Sequence, residues 1–181
     1  MVKPVRRIVA GEDEKGNAVI FSDGPVRDIL TDPARPGYSE ARVWVTDGTP
    51  APYAGIKETT DRPYTIEPPT RGSVCRVITF PPEASYIGKV TEQDVQAYFK
   101  LAGSPSASTY SRSAPHPYMQ KTRTLDFVLV LEGEITLVLD TAEVHLKRGD
   151  TVVQRGANHA WSNRSDKPAR LVFSLHDGVW N

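Results

Sequence analysis

The chain has 181 residues, of which 39% are hydrophobic and 8% aromatic, so it can bury one sizeable core. Its net charge is +0 and its longest basic cluster is the Arg pair at 6–7, which excludes the charged surface of a nucleic-acid-binding protein. The single Cys75 excludes an internal disulfide, and no apolar run approaches a signal sequence or a membrane span. We expect one cytoplasmic, β-rich domain over residues 1–181 that binds a small molecule and neither nucleic acid nor membrane.

The first 72 residues contain a predicted hairpin followed by a proline-rich segment. The stretch "RRIVAGEDEKGNAVIFSDGPV" holds two β-like runs around a turn rich in Gly, Asp and Asn, which predicts an N-terminal β-hairpin that adds strands to a larger sheet. From Thr31 to Gly72, "DPARPG", "TPAPYAG" and "EPPTRG" interrupt every periodic pattern except "ARVWVTD", a predicted strand. We interpret this proline-rich part as a wrapping loop, and the sequence leaves its role open.

The pattern from residue 73 to 181 predicts a barrel with one helix. "SVCRVITFPP" alternates as a strand does, and "VTEQDVQAYFKLAG" predicts a helix near 91–102, with Thr91 as N-cap, Asp94 three residues on and Gly103 as the stop. Between Leu125 and Leu175 the hydrophobic residues recur with period two, divided by short polar turns. This run predicts the strands of the barrel.

Two stretches within residues 120–133 and 149–163 carry a family resemblance. "DFVLVLEGEITLVL" followed by "GDTVVQRGANHAWSN" is similar to the two signature motifs of the cupin superfamily. The matching positions are Asp126, Gly133, Gly149, Gly156, His159 and Asn163. The opening residues also resemble the N-terminal hairpin of small single-domain cupins from bacteria and fungi. The resemblance implies an all-β cupin barrel, which is a double-stranded β-helix or jelly roll, with an N-terminal β-hairpin and one short helix.

The resemblance also implies where a metal would bind. The family's usual four ligand positions fall on Gln120, Thr122, Asp126 and His159. Only the last two are strong ligands, because an amide oxygen is a weak donor and a Thr hydroxyl is weaker. Two expectations stay open: no cofactor at all, or a divalent metal held weakly by Gln120, Asp126 and His159.

Strand periodicity assigns the candidate side chains to faces. Counting back from Asp126 places Thr124, Thr122 and Gln120 on one inward face, and His159 shares an inward face with Trp161. We therefore expect His159 and Asp126 to meet as a catalytic acid–base pair. Candidate substrate-binding residues are Gln120, Thr122, Tyr118, Trp161 and Arg155. Arg155 either pairs with a substrate carboxylate or braces the loop that carries His159.

These residues fit more than one function. The first hypothesis is a lyase or isomerase that decarboxylates, dehydrates or tautomerises a small organic or aromatic acid by proton transfer. The alternative is a barrel that binds a small ligand without turnover. A metal-dependent dioxygenase is a third reading, and it would need more nitrogen ligands than the motif contains. The exposed edge of the N-terminal hairpin predicts a homodimer.

Overall fold

The structure is a computed structural model that describes residues 4–52 and 57–179. These residues form one α-helix, α1 (Glu92–Leu101), two short 3-10 turns (Glu83–Ser85 and Pro105–Ala107) and eleven strands. The strands are β1 (Arg6–Glu12), β2 (Ala18–Pro25), β3 (Ile29–Thr31), β4 (Ser39–Thr46), β5 (Ser73–Phe80), β6 (Thr124–Glu132), β7 (Glu134–Leu139), β8 (Glu143–Lys147), β9 (Thr151–Arg155), β10 (His159–Ser162) and β11 (Ala169–Asp177). The expected all-β architecture with an N-terminal hairpin and one helix is confirmed.

Two antiparallel sheets share one hydrophobic core. The larger sheet has the strand order β3-β4-β5-β11-β6-β9, and the smaller has the order β10-β7-β8. Buried side chains from both sheets belong to the same cluster, including Val128 and Phe173 of the larger sheet and Leu137 and Trp161 of the smaller. The space between the sheets is therefore the interior of the barrel.

Strand β6 has the orientation that its sequence predicts. Asp126 and Val128 are buried, whereas Phe127 and Leu129 remain 48% and 36% exposed. Because side chains alternate across a strand, this register directs the Asp126 face inward and the bulky apolar face outward. At the end of β6, Gly133 adopts a φ of 75°, as expected for a tight turn. The turn is not a hairpin, because β6 and β7 lie in different sheets.

The N-terminal hairpin differs from the expectation. Strands β1 and β2 pair with each other in a separate two-stranded sheet and do not extend a sheet of the barrel. Their turn is closed by Asp13, whose Oδ1 accepts hydrogen bonds from the backbone N–H groups of Lys15 and Asn17. The hairpin leaves Ile8 and Ile20 more than half exposed. It satisfies its own hydrogen bonds along one edge, and β3 and β4 extend the larger sheet instead.

The proline-rich part of the chain enters the barrel. The strand predicted from "ARVWVTD" is confirmed as β4, which pairs along β5 as an inner strand of the larger sheet, so the proline-rich segment does more than wrap around the barrel. The turn before β4 is held by Asp32, whose Oδ1 accepts the Ala34 N–H and whose backbone carbonyl accepts the Arg35 N–H. This turn carries the Arg35 side chain into the interior, where it is 4% exposed.

The predicted helix is confirmed, including its start. Thr91 accepts a hydrogen bond from the Asp94 N–H, and the Asp94 carboxylate accepts the Thr91 N–H in return, which is a capping box. The helix ends before Gly103, which has a φ of 68°. Its buried face, with Tyr98 and Phe99, closes one end of the core. Within the described residues, no helix is long and apolar enough to cross a membrane.

Candidate active site

A small cavity lies inside the barrel, between the two sheets and α1. Its volume is about 40 Å³, roughly the space that a few water molecules occupy. The lining residues come from β4, β5, β6, β10 and β11, from α1, and from the segments before β4, before β5 and before β6. The polar members of the lining are Arg35, Tyr38, Glu40, Arg76, Tyr98, Tyr118, Gln120, Thr122, Asp126, His159 and Trp161. We call this space the barrel cavity.

His159 opens β10 and is fixed by its backbone and its ring. Its backbone N–H and carbonyl pair with those of Gln120, at 2.9 and 2.8 Å. The ring Nδ1 lies 2.9 Å from the Ala157 carbonyl oxygen and therefore carries the proton. The other nitrogen, Nε2, lies 3.4 Å from the Gln120 amide nitrogen and is left as an acceptor. Burial lowers the pKa of His159, so the neutral imidazole, whose Nε2 lone pair faces the Gln120 amide N–H, predominates near neutral pH.

Asp126 has the environment of a general acid. Its side chain is buried, and its Oδ1 has no hydrogen-bond partner. Burial raises the pKa of Asp126 to about 6, against the opposing effects of a Thr124 hydrogen bond and the positive charge of Arg76. A carboxyl group in this range holds a proton in mildly acidic solution and can release it to a bound molecule.

The expected contact between the two residues is absent from the described part of the chain. His159 and Asp126 line the same cavity but form neither a hydrogen bond nor an ion pair with each other. The cause lies in His159, because its two ring nitrogens are directed to Ala157 and Gln120. The acid and the base therefore face the cavity independently, and each can act on a different atom of a bound molecule.

The predicted substrate-binding residues divide into two groups. Gln120, Thr122, Tyr118 and Trp161 all line the barrel cavity. Arg155 does not: its side chain is exposed and, within the described residues, forms no hydrogen bond or ion pair. Arg155 follows Gln154 in β9, whose side chain is buried, so the strand alternation directs Arg155 outward. Neither the substrate-pairing role nor the bracing role predicted for Arg155 has a contact that supports it.

A buried polar network that the sequence analysis missed forms one wall of the cavity. Glu40 accepts hydrogen bonds from the hydroxyl groups of Tyr38 and Tyr98, at 2.7 and 2.5 Å, and of Tyr64, at 2.9 Å. It also pairs with Arg76 at 3.1 Å. Burial alone raises the pKa of a carboxyl group, but the Arg76 charge and the tyrosine hydroxyls outweigh it and the pKa of Glu40 is lowered.

Arg35 is enclosed by aromatic rings in the same wall. Its guanidinium carbon lies 3.7 Å from the ring centres of both Tyr38 and Tyr118, and 4.3 Å from that of Tyr98. Its Nε donates to the Asp32 carboxylate at 2.6 Å, and the Tyr118 hydroxyl donates to the same oxygen at 2.9 Å. A signal for this wall was present in the sequence. Arg76 occupies an inward position of β5, between Val74 and Ile78, where an unpaired charge is costly.

The donor set does not fit a tightly bound metal. No group of three His, Cys, Asp or Glu side chains close enough to hold an ion occurs in residues 4–52 and 57–179. Asp126 and His159 are the two strong donors at the predicted position, and the Gln120 amide presents its nitrogen to His159. An amide N–H is a hydrogen-bond donor and cannot ligate a cation. A weak site through Gln120, Asp126 and His159 remains a prediction that needs metal analysis.

The contact between residues 120 and 159 leads to a metal-binding prediction. Because their backbones pair directly, Gln120→His places a second imidazole beside His159, with Asp126 lining the same cavity. We expect zinc or nickel affinity to rise roughly ten-fold or more, since imidazole is a much stronger ligand than an amide. Isothermal titration calorimetry measures the change. His145→Ala in the Gln120→His background is the control. His145 is exposed on β8, so its loss should not change the metal affinity. Equal affinities in wild type and Gln120→His would show that the side chains do not converge.

Residues 112–175 match the Cupin_2 family model, whose description is "Cupin domain". The chain is 54% identical over 57 residues, 30% of each protein, to phomopsin biosynthesis cluster protein C′ of Diaporthe leptostromiformis. It is 41% identical over 61 residues, 33% of this chain and 31% of the relative, to the cupin-domain-containing oxidoreductase srdB of Neurospora crassa. The matches thus span about a third of these relatives' length. A putative ethanolamine utilization protein Q from Salmonella typhimurium aligns over 98% of this chain and 100% of its own, with 10% identity and a TM-score of 0.45.

Proposed function

We propose, from the match of residues 112–175 to the Cupin_2 family model, that the barrel binds a small organic acid and catalyses proton transfer of the lyase or isomerase type. The cupin domain supports the coarser statement that the protein binds a small molecule. One observation carries the finer proposal. The barrel cavity is lined by an imidazole whose Nε2 meets only the Gln120 amide nitrogen, at 3.4 Å, and by a buried carboxyl group whose pKa is about 6.

In the proposed reaction the two groups act on different atoms of a β-keto acid. His159 Nε2 removes the proton from the carbon beside the ketone, and the electron pair of that C–H bond forms the C=C bond of an enol. The C=O π electrons take up the proton of the Asp126 carboxyl group, so that imidazolium and carboxylate remain. The enol is the tautomer of the keto acid, and the reverse proton transfers restore the ketone. In a decarboxylation of the same acid, the C–C bond to the carboxylate breaks instead, CO₂ leaves, the electron pair of that bond forms the C=C bond of the enol of the shorter ketone, and Asp126 again protonates the oxygen.

The test is solvent deuterium exchange, which detects this step before the natural substrate is known. A panel of β-keto and aromatic acids is incubated with the protein in D₂O, and loss of the C–H signal is followed by NMR. We expect one or more acids to exchange faster than without protein, and the exchange to survive a chelator. Binding without exchange for every acid would favour the non-catalytic alternative, and loss of exchange with chelator that one metal ion restores would overturn the metal-free mechanism.

The pH profile of this exchange follows from the two pKa values. As an acid, Asp126 must be protonated, which holds below about pH 6; as a base, His159 must be neutral, and burial lowers its pKa. We therefore expect the exchange rate, measured at a low concentration of the substrate, to be greatest in mildly acidic solution and to fall as the pH rises through about 6. Asp126→Asn should slow exchange and remove this fall. Asp166→Asn, an exposed carboxylate, is the control that should leave the profile unchanged.

A redox reaction is the second candidate, because the Neurospora relative and others from Hypocrea virens and Aspergillus ruber are described as cupin-domain-containing oxidoreductases. Asp126, His159 and Gln120 alone do not supply an electron acceptor, so such a reaction needs a co-reactant such as oxygen, a nicotinamide cofactor or a metal ion. Oxygen uptake and nicotinamide absorbance, recorded with the same panel of acids, separate it from redox-neutral proton transfer.

A further inference from the structure

The lining of the barrel cavity has an excess of unpaired hydrogen-bond donors. Seven buried side-chain atoms of the described residues have no partner, and four of them belong to cavity residues. Three of these are donors, Arg35 Nη2, Arg76 Nε and Trp161 Nε1, and one is the acceptor Asp126 Oδ1. Buried polar groups are paired in the great majority of cases. A molecule that satisfies this set must have more acceptors than donors.

The carboxylates near these donors are already neutralised. Glu40 accepts four hydrogen bonds, from three tyrosines and Arg76. Asp32 receives the Arg35 Nε, the Tyr118 hydroxyl and the Ala34 backbone N–H. Since Arg35 still has an unpaired Nη2 after its bond to Asp32, its guanidinium can bind a second carboxylate. Asp126 opposes a bound anion least when it is protonated, the form that burial favours.

The position of Arg35 is set before any ligand arrives. Three tyrosine rings surround the guanidinium and the Asp32 ion pair holds its Nε, so the side chain loses its rotamer freedom on folding. An anchor that is already ordered binds an anion more tightly than a flexible one, because less entropy is lost in the complex. A surface arginine such as the exposed Arg155 lacks this advantage.

We infer that Arg35 determines substrate specificity by binding the carboxylate of a small acid, with Trp161 Nε1–H donating to a second oxygen of the same molecule. The acid is compact, because the cavity has a volume of about 40 Å³. A short β-keto acid has the three acceptor oxygens and the carbon acid that the lining suits. This inference rests on the proposed function for the reaction that follows, but the binding of the acid is independent of turnover.

The test compares an acid with its uncharged isostere. Affinities for acetoacetate and acetoacetamide are measured by calorimetry in the His159→Ala background, so that turnover does not consume the ligand. We expect acetoacetate to bind more tightly than acetoacetamide. Arg35→Lys or Arg35→Gln should weaken the affinity for acetoacetate about 10- to 100-fold and leave the affinity for acetoacetamide nearly unchanged. Arg42→Lys is the matched control. Arg42 is also buried beside a tyrosine, but each of its nitrogens is paired and it does not line the cavity.

A spectroscopic measurement on the wild-type protein covers the case in which Arg35 variants do not fold. The guanidinium ¹⁵N–¹H signals of Arg35 should move when acetoacetate is added, and those of Arg42 should not. Equal affinity for acid and amide, unchanged acid affinity in a folded Arg35→Lys, or stationary Arg35 signals at saturating acid would each overturn the assignment. Acid binding that depends on Arg35, without deuterium exchange in wild type, would support the anchor while rejecting the proposed reaction.

Discussion

Replacing His159 by alanine should lower kcat/KM for deuterium exchange by about two orders of magnitude or more, which is the usual scale for losing a general base. The substrate is the acid that the wild-type protein exchanges fastest. The reason is that, among the described residues that line the barrel cavity, His159 is the one imidazole, and its Nε2 lone pair meets only the long 3.4 Å contact to the Gln120 amide while Nδ1 is bound to Ala157. A hundred-fold loss corresponds to about 2.7 kcal/mol in the activation free energy. NMR initial rates at low acid concentration measure it.

Two comparisons separate catalysis from structural damage. His145→Ala removes an exposed imidazole from β8 and should leave exchange unchanged. Acetoacetate affinity in His159→Ala should stay within a few-fold of wild type, because the proposed anchor, Arg35, is untouched. Exchange that persists at more than about a tenth of the wild-type rate in a folded His159→Ala would remove His159 from the mechanism.

Glu40→Gln should reduce the free energy of unfolding at pH 7 by about 3–5 kcal/mol, the scale for breaking a buried ion pair by neutralising one partner. Both Glu40 and Arg76 are almost fully buried, so the change leaves a guanidinium without its counter-charge in a medium that solvates it poorly. It also weakens the bonds from Tyr38, Tyr64 and Tyr98. Urea unfolding of wild type and variant measures the difference.

Glu58→Gln is the matched control, because Glu58 also pairs with an arginine but its side chain is 45% exposed. An exposed pair contributes about 1 kcal/mol or less. The lowered pKa of Glu40 sets the pH dependence: its stabilising effect is present above the ordinary Glu pKa and is lost as the pH falls through the folded-state value. The gap between wild type and Glu40→Gln should therefore narrow in acid. Equal losses in the two variants would show that the buried network contributes no more than a surface pair.

The proposed anchor for the substrate lies outside the two motif regions. The candidate residues from the two motif regions, His159 and Asp126, supply an acid and a base but no positive charge to bind an acid substrate. The positive charge comes from Arg35 and Arg76, and Arg35 lies in the proline-rich segment that sequence patterns left without a role. If the proposals hold, relatives that keep the motifs but change the "DPARPGY" turn should differ in the acid they accept.

Local patterns in the sequence were enough to predict the barrel strands, the capped helix at Thr91 and the inward face of Asp126. Each depends on residues near one another in the chain, through period-two alternation or a capping box. The tyrosine rings around Arg35 and the hydrogen bonds of Glu40 were decided by tertiary structure. They join β4, β5, α1 and the segments before β4 and β6, which are far apart along the chain. The same holds for the hairpin's separate two-stranded sheet and for the missing contact between His159 and Asp126. Spacing along a strand determines which face a side chain takes, but not which atom of another segment it meets there.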